Sequence, residues 1–295
     1  MVRDGLRAVV SRRPVASFFV LAYLLAWSCW LPLILTGSTV RDGVGWPTHA
    51  PGLLAPLVAA VVVTALGDGR PGVVALARRA TRWQVPARWY IAVAAPLVLY
   101  AGCLLARGVV TGDWPSSADL AAYSGLPSVG VLVPVLALVV NGFGEEVGWR
   151  GFALPQLQRD RDPLRATVLL TAGWAGWHVP LFVVLAGYRG FSALTAVGFG
   201  IGLVTGAVVL TWVCNGSGGS VLVAALWHTS YNLTTATRAG AGLPAAVVSA
   251  AVIVAGVLLA RQHVAAVRQG NVSPLAPPGV SVLPPLPTRS STCST

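Results

Sequence analysis

Two adjacent carboxylates, Glu145 and Glu146, stand inside the apolar run LALVVNGFGEEVGWRGFALP. An acidic side chain in a bilayer is costly, so it persists mainly where it faces a polar cavity and serves a purpose. Apolar residues continue on both sides of the pair, through Leu154, which argues against a helix end placed among headgroups. Arg150 follows Glu146 by one helical turn, so the two share a face and can pair. Glu145, rotated by about 100 degrees, points elsewhere and is free to act as a general base.

Two of the four histidines also lie in apolar runs, His178 in TAGWAGWHVPLFVV and His228 in LVAALWHTSYNL. A lone buried histidine is ordinarily a satisfied core residue. Two of them, in a chain that also buries a carboxylate pair, point to a common site. Trp174 lies one turn before His178, and Pro180 just after it predicts a kink that opens room beside the helix. Asn232 lies one turn after His228, so both can donate hydrogen bonds to one ligand. A carboxylate base, an imidazole partner and two donors for developing negative charge are the parts of a hydrolytic site. Glu145, His178 and His228 could alternatively hold Zn²⁺ or another divalent metal, leaving a position for water. No HExxH stretch is present, and a metal-free glutamate mechanism needs the same residues.

These groups must be positioned by helices in a membrane. The chain of 295 residues is 55% apolar and only 10% charged, too little polar surface to coat a soluble globule. Eight stretches approach the roughly 20 residues that a spanning helix needs: Val15 to Thr36, Pro51 to Leu66, Trp89 to Val110, Pro127 to Ala153, Ala166 to Ala186, Ser192 to Cys214, Ser220 to Thr237 and Leu243 to Ala260. The expected fold is all-α, a polytopic transmembrane bundle of about eight helices. Residues 1–14 form a basic cytoplasmic N-terminus, 15–260 the helical domain with its motifs in 141–237, and 261–295 a Pro/Ser-rich cytoplasmic tail expected to be disordered.

All 20 basic residues are arginine, and they gather in alternate loops. That is the positive-inside pattern, so the net charge of +11 reflects membrane topology and no nucleic-acid partner is expected. The pattern places both termini in the cytoplasm and the protein in the plasma membrane, and the composition suggests a GC-rich bacterial gene. In this topology Glu145, His178 and His228 lie roughly 14 to 21 Å from the same membrane edge, so three helices carry their polar groups to similar depth. The four cysteines show neither a disulfide framework nor a thiolate metal site.

The motifs EExxxR (Glu145, Glu146, Arg150), aromatic-xxx-His (Trp174, His178) and HxxxN (His228, Asn232) occur in that order. With the stretch RRATRWQVPARWY before them, they resemble the CAAX protease and bacteriocin-processing family of intramembrane endopeptidases, which includes the type II prenyl endopeptidases and the bacterial Abi proteins. Trp174 departs from the phenylalanine usual in the second motif. The resemblance implies an eight-helix intramembrane protease of the metalloendopeptidase class. Glu145 and His178 would activate water, His228 and Asn232 would stabilise the oxyanion, and Glu146 with Arg150 would support the site. Its partners would be the lipid bilayer and a peptide or membrane-protein substrate. Two other classes use buried polar groups as well: an ion-coupled transporter, and a non-catalytic membrane partner such as a bacteriocin immunity protein. Clustering of the polar residues in the second half argues against the first, and an intact polar set against the second.

Overall fold

The computed structural model describes residues 2–279. Ten principal helices account for the bundle. An N-terminal helix α1 (Val2–Arg12) precedes α2 (Pro14–Leu35), α3 (Ala50–Gly67), the amphipathic α4 (Gly69–Ala80) and α5 (Ala87–Thr111). They are followed by α6 (Gly130–Leu157), α7 (Pro163–Val184), α8 (Ala193–Gly216), α9 (Val221–Thr235) and α10 (Leu243–Arg268). Among the described residues there is no strand, only four isolated backbone bridges between loops.

Local chemistry sets the helix ends. Pro14 opens α2, and Pro163 opens α7 behind Asp162, whose carboxylate accepts from the Leu164 and Arg165 amides. Ser192 and Ser220 cap α8 and α9 in the same way, accepting from the amides of Thr195 and Val223. α5 stops at Gly112, whose φ of 72° is a left-handed conformation that a side chain would resist.

Seven of these helices, α2, α3, α5, α6, α7, α8 and α10, are long and apolar enough to cross a membrane. The expected span Ser220 to Thr237 is different. Its helix α9 has 15 residues, about 22 Å, which is shorter than a hydrocarbon core of about 30 Å. It is packed against α5, α6, α8 and α10. A helix wrapped by others needs neither full length nor a lipid-facing surface.

The final helix also departs from expectation. It continues past Ala260 to Arg268, and the next residues fold back onto the bundle. Asn215 donates to the Leu275 carbonyl at 2.9 Å, and His263 joins Ser273 to Asp162. The first part of the expected disordered tail is therefore anchored by buried polar contacts, while 280–295 lie outside the described residues. The basic N-terminus forms α1, which lies against α2 and α3 with Val10 buried.

The loops segregate into two sets. At the arginine-rich end, Arg79 of α4 donates to the carbonyls of Gly151, Arg150 and Gly219 at 2.7, 3.1 and 3.1 Å. At the other end, bridges Val40 to Leu185, Asp42 to Ser124, Val44 to Pro127 and Tyr123 to Thr237 join four loops into a cap.

Candidate active site

The backbone of α6 is wound as a π-helix over Leu138–Phe143 and again over Val147–Ala153, with a short α-helical turn, Gly144–Glu146, between them. Such wide turns are uncommon and concentrate at functional sites. Here they flank both carboxylates. Close neighbours require glycine along this stretch: a Cβ on Gly142 would lie 2.6 Å from Thr229 Oγ1, and one on Gly148 would lie 2.5 Å from Pro56. Gly142 thus brings α9 against α6, and Gly148 does the same for α3.

The two carboxylates turn to different neighbours. Glu146, fully buried, accepts from Arg150 at 3.0 Å and from His228 Nδ1 at 2.8 Å, both through Oε1. The Arg150–Glu146 pair is the one that the i, i+4 spacing predicts. Its Oε2, with Nε and one terminal nitrogen of Arg150, has no hydrogen-bond partner among the described residues. Glu145, also buried, accepts from the Trp174 indole N–H at 2.8 Å.

Trp174 is the hub of the cluster. Its ring lies 4.6 Å beneath the Arg150 guanidinium, 5.5 Å from the His178 ring and 5.7 Å from that of His228. Its carbonyl accepts from His178 Nδ1 at 2.8 Å. Because a carbonyl only accepts, Nδ1 carries the hydrogen and Nε2 holds the lone pair in the neutral ring. Regular α7 ends at Trp177, and His178 begins a turn that Pro180 completes. This break presents the imidazole at the end of a helix, under the cap.

Residues outside the motifs complete the surroundings. Tyr123, from the cap, donates to Asn141 Oδ1 at 3.0 Å and also reaches the side chain of Asn232. Burial and the nearby Glu145 charge push the Tyr123 hydroxyl up, so it remains neutral and able to donate. Burial and Glu145 raise the Tyr188 hydroxyl too, which marks a second phenol near that carboxylate. His49 is buried beside the cap, and burial together with His178 pulls it down to about 4. Phe199, in contact with Phe182 and Tyr188, meets the His178 ring at 5.9 Å.

The structure therefore brings together Glu145, Glu146, Arg150, Trp174, His178 and His228, with half-buried Asn232 joined through Tyr123. Asn141, four residues before Glu145 in an apolar run, was discoverable by the reasoning that found the glutamates. Tyr123 and His49 sit in loops, where one sequence carries no signal of burial. The suggested metal set fares differently. Among the described residues no three His, Cys, Asp or Glu side chains gather so as to hold an ion. The Trp174 indole lies against both imidazoles and occupies one Glu145 oxygen.

Comparison with known proteins falls on the same segment. Residues 127–234 match a family model described as Rce1-like, type II CAAX prenyl endopeptidase. The chain is 31% identical over 106 residues to CAAX prenyl protease 2 of Methanococcus maripaludis, a match spanning 34% of this chain and 39% of that relative. Across residues 127–234, the segment that holds all three motifs, this membrane protein is similar to the Rce1-like type II CAAX prenyl endopeptidases.

Proposed function

We propose that the chain is an intramembrane endopeptidase that hydrolyses a peptide bond of a membrane-associated peptide or protein. The observation that carries this reading is the convergence of Glu145, His178 and His228 on Trp174, beneath a cap that supplies further polar groups.

Glu145 takes a proton from a water, and the resulting hydroxide attacks the peptide carbonyl carbon. His178 has its lone pair on Nε2 and orients that water. As the tetrahedral intermediate forms, negative charge develops on the former carbonyl oxygen. Asn232 and a protonated His228 Nε2 donate to it. Glu146 balances the positive ring through Nδ1, and Arg150 keeps Glu146 in place. The proton held by Glu145 passes to the departing amine as the carbon–nitrogen bond breaks. Water thus gives its hydroxyl to the new acid and its hydrogen to the new amine.

For the substrate, the relative's name offers prenylated C-termini, while the composition favours a bacterial peptide or membrane-protein terminus. The proposed orientation has both termini in the cytoplasm of a plasma membrane. Comparing protein termini in cells that carry the wild type with those carrying Glu145→Gln tests activity and substrate together. New termini confined to the wild type are expected. Identical termini at equal expression would overturn the reading.

A further inference from the structure

A groove of about 490 Å³ runs between α8 and α10, with Leu164 at the start of α7 as its third wall. It lies away from the motif residues. Val204 and Val208 of α8 face Val257 and Val264 of α10, and among the described residues the charged ones that line the groove are Arg261 and Arg268. The groove closes at Gly256, where a Cβ would stand 2.4 Å from the Thr205 carbonyl. From Gly256 to Arg268 is about 18 Å along a helix, close to one leaflet of a hydrocarbon core about 30 Å thick. Arg261 stands about 8 Å and Arg268 about 18 Å from Gly256 along α10, so both guanidiniums follow the apolar floor of the trough toward the arginine-rich end of the bundle.

Charge complementarity selects the occupant. Arg261 and Arg268 are exposed and take part in none of the ion pairs among the described residues. The nearby carboxylate, Asp162, is engaged by His263 at 2.9 Å. Two turns separate the arginines on one face of α10, so both can reach a single headgroup, where guanidiniums bind phosphate oxygens in pairs. Among the described residues no acidic side chain lines the groove to receive the ammonium of a zwitterionic headgroup. We propose that this groove is a binding site for one anionic phospholipid, with an acyl chain along Val257 and Val204 and the phosphate between Arg261 and Arg268.

Native mass spectrometry of the full chain in neutral detergent tests the site, using phosphatidylglycerol, phosphatidylcholine and inorganic phosphate as probes. One phosphatidylglycerol should be retained at least tenfold more tightly than phosphatidylcholine. Arg261→Gln with Arg268→Gln should reduce its binding to the phosphatidylcholine level, while the corresponding pair of Lys substitutions retains it. Val257→Trp, which fills the trough but leaves both arginines, should also abolish retention, and inorganic phosphate should not compete. Equal retention of the two lipids, indifference to the Gln pair or to Val257→Trp, or displacement by inorganic phosphate would each overturn the proposal.

Discussion

Trp174 holds Glu145 through its indole N–H at 2.8 Å and holds His178 through its carbonyl, so a single residue orients both groups that we propose activate water. Phe in its place keeps an aromatic ring against Arg150 and both imidazoles but removes the donor. A hydrogen bond to a charged group contributes about 1.5–3 kcal/mol, so Trp174→Phe should lower kcat/KM by about 10- to 100-fold. Trp174→Leu, which also loses the ring, should fall further. Full activity in the Phe variant would show that the indole N–H is dispensable.

The buried ion pair makes a different prediction. Removing one partner leaves a buried charge uncompensated, at about 3–5 kcal/mol. Glu146→Gln and Arg150→Met should therefore each lower the thermal midpoint markedly, and the double variant should be less destabilised than the sum of the two. Strict additivity in that cycle would mean that the pair at 3.0 Å is energetically inert.

Gly142 offers a steric test. Its missing side chain admits Thr229 and the Ala225 carbonyl, which would lie 2.6 and 2.9 Å from a Cβ. Gly142→Val should push α9 from α6 at about 1–3 kcal/mol and separate Glu146 from His228. Loss of cleavage with a lowered thermal midpoint is expected, whereas unchanged behaviour in both would contradict this packing.

A further prediction concerns acid. His49 titrates near 6.5 when exposed and at about 4 in the fold, because burial and His178 disfavour its charged form. The unfolded chain therefore binds the proton first as pH falls. The stability contributed by neutral His49 is complete above 6.5 and is lost progressively between 6.5 and about 4, by about 3 kcal/mol in all. Thermal midpoints measured over this range should drop with acid, and His49→Gln should flatten the drop.

Much of the architecture was legible because a membrane constrains sequence so strongly. The seven long helices follow from apolar runs, and the inward carboxylates stand out because nothing else acidic interrupts those runs. α9 was legible as an apolar run but not as a short interior helix, since a helix shielded by protein is released from the length rule that identifies its neighbours. The cap was illegible for the opposite reason. Tyr123 and His49 come from polar loops, and only the packing of those loops makes them buried neighbours of Glu145 and His178. The central place of Trp174 was likewise hidden, because a turn of spacing reveals its link to His178 but not its reach across to Glu145.

The guanidinium of Arg79 gives the motif region a dependence on a distant part of the chain. Carbonyls of Arg150 and Gly151 find their donor on α4, an element that lies before residue 127 and outside the three motifs. The motif helices are thus not a portable cassette. A chimera that transplants 127–234 into another bundle must bring an equivalent cation at that corner, or the helix that presents Glu145 and Glu146 will lose its anchor.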